Sequence, residues 1–198
     1  MAEGDKNNDD CMKKFIGSFI LKILGWKVIG TKPADNKLLV IVFHHTSNWD
    51  FPLGILVRWK LGMDISFIGK SSLFKFPLGI LMRYLGGYPV ERNPAKKKFS
   101  VAKQIEDLIR NNEKIYINMT PEGTRKKVET LKTGFYTIAK NTETKILLVA
   151  FDFPRKTVLF DDPHFPASTF EEEMKIMKAF YKDTKGKYPE LSFDFSKY

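Results

Sequence analysis

Residues 37–50 read KLLVIVFHHTSNWD, and this stretch decides the fold class. Its first seven residues are almost unbroken apolar, rich in β-branched side chains and short for a helix. A strand of this kind is buried on both faces, as in a mostly parallel sheet covered by helices. The theme recurs at Ile65–Ile68, Lys114–Met119 and Lys145–Phe151. Helical periodicity is read over about 51–62, 72–85, 95–112, 132–141 and 169–183. Strands alternating with helices predict an α/β fold, with a single mostly parallel or mixed sheet flanked by helices. No internal repeat, low-complexity tract or Pro/Gly/Ser linker divides residues 31–198, which are expected to form one catalytic domain.

Residues 1–11 are polar and acidic and are expected to be a disordered lead-in, with no secretory signal. Residues 12–30 differ. Phe15, Ile16, Phe19, Ile20, Ile23 and Leu24 recur at helical spacing, with Lys13, Lys14, Lys22 and Lys27 among them and Trp26 near the end. Bulky apolar residues, lysines and a tryptophan fit an amphipathic helix lying in a membrane interface. The same stripe also fits a helix packed on the protein's own core. No apolar run reaches the roughly 18 to 20 residues that span a bilayer.

The chain has 198 residues, 43% of them hydrophobic and 28% charged, which places it among globular proteins. Its one cysteine, Cys11, excludes an internal disulfide framework and a multi-cysteine zinc site. The formal net charge of +10 favours anionic partners: nucleic acid, anionic lipid headgroups or an acidic carrier protein.

In sheets of this class, ligands bind beyond the carboxyl ends of the strands. The segments found there are HHTSNWD after Phe43, GKSS after Ile68 and TPEGTRKK after Met119. His45 and Asp50 can act as a pair, the carboxylate holding one ring nitrogen while the other removes a proton from an alcohol. Against this, Ser47-x-x-Asp50 also fits a helix capping box, and His44 fits a core histidine. Neither a G-x-S-x-G elbow, a P-loop, a G-x-G-x-x-G nor an H-E-x-x-H is present. Gly86-Gly87-Tyr88-Pro89-Val90-Glu91-Arg92 places a guanidinium after an extended piece, and arginine suits bidentate phosphate binding. Lys70 supplies a second positive charge. Glu122, Gly123, Thr124 and Arg125 form a polar turn in which the glycine permits close approach of a ligand.

In this order and spacing, the three segments resemble the blocks of the glycerolipid acyltransferase family, which includes 1-acylglycerol-3-phosphate acyltransferases. His45-x4-Asp50 matches its H-x4-D block, which the resemblance implies is the catalytic dyad. Gly87 to Arg92 matches the second block, where arginine engages the acceptor phosphate. Glu122-Gly123-Thr124-Arg125 matches the E-G-T-R block, associated with acceptor binding. The family's fourth block carries a V-P motif, whereas Ile146 to Asp152 reads ILLVAFD without proline.

The resemblance implies transfer of a fatty acyl group from acyl-CoA or acyl-ACP to a lysophospholipid hydroxyl, without a metal or redox cofactor. It implies a protein held at the inner, cytoplasmic face of a membrane. Lys70, Arg92 and Arg125 would then hold the acceptor phosphate. A rival acceptor is an acylated amino-acid lipid. A rival class is a nucleic-acid-binding protein, motivated by the charge and by Lys96 to Lys98 and Lys126-Lys127.

Overall fold

The computed structural model describes residues 3–91 and 99–197. Seven strands form one sheet: β1 (Lys27–Ile29), β2 (Lys37–Phe43), β3 (Ile65–Lys70), β4 (Gly87–Val90), β5 (Ile115–Met119), β6 (Lys145–Asp152) and β7 (Thr157–Phe160). Six helices accompany them: α1 (Glu3–Ile23), α2 (Asp50–Leu61), α3 (Leu78–Tyr84), α4 (Val101–Asn111), α5 (Gly134–Thr142) and α6 (Phe170–Tyr181). The strand order is β1-β7-β6-β2-β5-β3-β4. β6, β2, β5, β3 and β4 run parallel, β7 turns back antiparallel to β6, and β1 follows β7. The sheet is therefore mixed, as the sequence pattern allows.

β2 lies at the centre, bonded to β5 through Lys37–Ile41 and to β6 through Leu38–Phe43. The unbroken apolar run of β2 is explained by two cores. Leu39, Ile41 and Phe43 face one side with residues of α4, α5 and α6, while Leu38, Val40 and Val42 face the other with Leu53 and Val57 of α2. A strand covered on both faces has no reason to alternate.

Several elements depart from the sequence expectation. The disordered lead-in expected over 1–11 is helical from Glu3, and α1 stops at Ile23 instead of running to residue 30. β1, expected as the end of that helix, is a three-residue strand paired with β7, too short to show a period of its own. The helix expected over 72–85 is two pieces, a 3-10 turn at Ser71–Phe74 and then α3. Pro77 accounts for the break, since it lacks an N–H and restricts the residue before it. The expectation of a helix from 95 onward begins outside the described residues, and α4 is resolved from Val101.

Tyr181 at the end of α6 ties the central strands together. Its phenol donates to the Ile41 carbonyl at 2.7 Å and accepts from the Val149 amide at 3.2 Å, fully buried against Phe43 and Phe195. Removing the hydroxyl takes away one bond from each of two buried strand groups. Tyr181→Phe is expected to lower the unfolding free energy by about 1–3 kcal/mol in urea titration. A midpoint equal to that of the parent chain would show that the bridge contributes nothing.

Candidate active site

β2, β3 and β5 are parallel, so the segments that follow them meet at one edge of the sheet. After β2 the chain turns directly into α2, and this turn carries His45 and Asp50. Asp50 is the first residue of α2 and is almost fully buried. Its Oδ2 accepts from the Ser47 amide at 3.0 Å and lies 3.0 Å from His45 Nδ1. Half of the capping box forms: Asp50 takes the Ser47 amide, while Ser47 Oγ accepts from Trp49 instead of Asp50 and α2 has no side-chain cap, so one carboxylate oxygen holds the turn and the imidazole together. With Nδ1–H donated to a carboxylate, Nε2 is left as the basic nitrogen of the neutral ring. Asp50 Oδ1 is buried and finds no partner among the described residues. An orphaned carboxylate oxygen costs stability in a purely structural pair, and is useful where a positive charge develops beside it.

His44 has a separate role. It is buried, its Nε2 donates to the Thr184 carbonyl at 3.0 Å, and burial holds its pKa below the ordinary value. This is the core histidine that the H-x4-D spacing left aside. Within the turn, Trp49 N–H bonds Ser47 Oγ at 3.1 Å and Asp50 N–H bonds the Ser47 carbonyl at 3.4 Å.

A cavity of about 830 Å³ opens beside the pair and is lined by His45 and Asp50. Val40, Val42, Phe67 and Phe151 of the sheet, with Phe51 and Ile55 of α2, give it an apolar wall. Lys70 at the end of β3 and Gly123, Thr124 and Arg125 after β5 also line it. Two cations that sequence reasoning missed join them, Arg58 of α2 and Lys132. Lys132 was read only as a helix start. What brings it in is the bond from its amide to the Pro121 carbonyl at 2.9 Å, which folds residue 132 back over the E-G-T-R turn. Gly123 makes room for it: at φ +64° it takes the left-handed conformation, and a Cβ there would collide with the Lys132 ammonium. Arg92 lies outside the described residues.

Glu122 differs from its neighbours on the turn. Instead of lining the cavity, it is buried behind the wall, and its Oε2 accepts from the His45 amide at 2.9 Å. The expected substrate contact is replaced by a contact with the backbone of the dyad's histidine. Burial pushes the Glu122 carboxyl up to about 8, against the His45 amide bond, which lowers it, while the Asp50 charge adds to the rise.

A family model described as Acyltransferase matches residues 26–152. Among solved structures, the chain is similar to the 1-acyl-sn-glycerophosphate (LPA) acyltransferase PlsC from Thermotoga maritima. The TM-score is 0.60 at 21% identity, over 92% of this chain and 81% of that one. At this identity the likeness speaks for the fold. No curated protein sequence matches.

The Glu122 environment sets a pH dependence of stability. Its ordinary value is 4.5 and its folded value about 8, so between these limits the folded chain keeps a proton that the unfolded chain releases. Its contribution to stability therefore falls as pH rises from 4.5 to about 8, then levels off. Glu122→Gln removes this titration. Thermal melts across that window are expected to show a smaller loss of Tm in the variant, and parallel curves would contradict the assignment.

Proposed function

The chain belongs to the acyltransferase family, and from that premise we propose that it moves a fatty acyl group from an acyl thioester to the free hydroxyl of a lysophospholipid, above all 1-acylglycerol-3-phosphate, in phospholipid synthesis. The observation that carries this reading is one cavity holding both requirements. A His45–Asp50 pair stands at its rim, an apolar wall suits an acyl chain, and Lys70, Arg125 and Lys132 supply positive charge for a phosphate. The donor is acyl-CoA or acyl-ACP, used as a co-substrate. Arg92, from the block after β4, belongs to the same proposed acceptor site.

The chemistry follows from the tautomer. His45 Nε2 takes the proton of the acceptor hydroxyl as its oxygen attacks the thioester carbonyl carbon. The carbon becomes tetrahedral, and Asp50 stabilises the imidazolium without itself taking the proton. The C–S bond then breaks, the new ester forms, and the imidazolium returns its proton to the leaving thiolate. The thioester is already activated, so neither a covalent acyl-enzyme nor a metal or redox cofactor is required.

The membrane contact is part of this reading. No described helix is long and apolar enough to cross a membrane. α1 rests on α2 through Gly17 and Leu21, while Met12, Phe15, Phe19 and Ile23 form an outward stripe. The two readings of this helix thus divide between its two sides. The outward stripe and Lys22 suit the surface of the cytoplasmic leaflet, from which a lysophospholipid would come.

His45→Ala is expected to lower kcat by a factor on the order of 10² to 10⁴ while the chain stays folded. Arg125→Ala is expected to act mainly on the acceptor KM, provided its contact is equally strong in ground and transition states. Steady-state kinetics with lysophosphatidic acid check both. A folded His45→Ala protein with parental turnover removes the dyad, and an unchanged KM removes Arg125 from the acceptor site. If an acylated amino-acid lipid outcompetes lysophosphatidic acid, the acceptor assignment gives way while the acyl transfer stands.

A further inference from the structure

The reaction leaves the segment between β3 and β4 unexplained. From Ile65 to Val90 the chain carries Lys70, Lys75 and Arg83 and not one carboxylate. Within residues 71–84 the buried positions are Phe74 and Gly79. The bulky apolar side chains point outward instead: Phe76 is 86% exposed, Ile80 66% and Tyr84 62%, with Leu73, Leu78 and Leu81 exposed beside them. A contiguous apolar patch of this kind on a folded chain marks an interaction site.

The attachment of α3 shows that these side chains are not its means of packing. Gly79 sets the helix directly on the preceding turn, since a Cβ there would collide with the Phe74 carbonyl oxygen. The Arg83 guanidinium donates to the Phe74 carbonyl at 3.2 Å and lies over the Phe74 ring. Phe74 itself packs against Gly69 of β3 and Gly87 of β4. A glycine, one buried phenylalanine and an arginine hold the segment on the sheet edge. Its leucines, isoleucine and Phe76 are left free.

Two neighbours identify the occupant. Lys13 of α1, ion-paired with Asp9 at 2.6 Å, stands over the Tyr84 ring at 5.3 Å, so α1 touches the end of α3 at this point. Lys70 and Leu73, where β3 meets the 3-10 turn, line the cavity that holds His45. One end of the patch, at Leu73, thus reaches the site, and the charges within the segment, Lys75 and Arg83 with Lys70 before it, are all positive, while Glu91 accepts from Ser71 Oγ at 3.0 Å at its edge. An anionic bilayer matches both features, taking apolar side chains below its headgroups and cations at their level.

We propose that residues 71–84 are a docking surface for an anionic lipid bilayer, set beside α1, which admits the acceptor to the cavity past Leu73 and Lys70. The admission step rests on the lysophospholipid reading above, whereas the docking itself does not. The surface works without a membrane-spanning helix: α3 is seven residues long and lies along the interface.

The test uses the full chain and the double variant Phe76→Ser/Ile80→Ser, neither residue lining the cavity. Binding is measured by co-sedimentation with phosphatidylcholine vesicles containing phosphatidylglycerol, and with phosphatidylcholine alone. The parent chain is expected to prefer the anionic vesicles, and the variant to lose about tenfold or more in affinity. Both substituted side chains are exposed, so the thermal melt should be unchanged. Turnover of a short-chain acceptor dispersed as monomers should persist in the variant, while turnover of the same headgroup embedded in vesicles falls. Vesicle affinity equal in parent and variant would overturn the proposal. So would a parent dimer that the variant dissociates, with no vesicle binding by either. Vesicle binding that depends on Phe76 and Ile80, without any acyl transfer, would sink the reaction and leave the docking surface standing.

Discussion

The site depends on the position of one carboxylate. Asp50 starts a helix at the carboxyl end of the central strand, where its Oδ2 meets the Ser47 amide and the His45 ring at 3.0 Å each. The same oxygen closes the turn and holds the imidazole, so local folding and the orientation of the ring cannot be separated. The rest of the architecture serves this point. β2 is buried on both faces and bonded on both edges, Tyr181 clamps β2 to β6, and Glu122 holds the His45 amide from the β5 side. A histidine whose backbone is held by one carboxyl group and whose ring is held by another has little freedom left.

The central strands were legible because double burial writes itself as an apolar run. His45 and Asp50 were legible because their spacing spans the turn between strand and helix, and that spacing also separated His45 from His44. The short strands β1 and β7 were hidden for a physical reason: three or four residues cannot display a period. The break at Pro77 was readable from its missing N–H, yet apolar periodicity on both sides masks it. Glu122 was assigned to acceptor binding through the E-G-T-R block, and nothing local in Pro121-Glu122-Gly123 says that its carboxyl group turns inward. Lys132 entered the site through a backbone bond to Pro121, a tertiary event without a sequence signature. Arg92 lies outside the described residues.

The protein's apolar residues are used in two ways. Those of the strands and of α2, α4, α5 and α6 build the two cores and the cavity wall. Many of those of α1 and α3 stay outside, beside lysine and arginine. This division suits an enzyme whose substrates are themselves amphipathic, with chains that seek the apolar wall and headgroups that seek the cations. The chain's positive charge then has a specific place to act, at the rim and on the surface around it.

The central claim is direct acyl transfer by the His45–Asp50 pair. Mass spectrometry of the purified chain mixed with a long-chain acyl thioester and lysophosphatidic acid tests it most directly, reading lipid, thiol and intact protein together. The account predicts phosphatidic acid and free thiol in equal amounts, with the protein mass unchanged even when the acceptor is left out. An acylated protein would contradict direct transfer, and the absence of a lipid product with either CoA or carrier-protein thioester would contradict the acylation of lysophosphatidic acid itself.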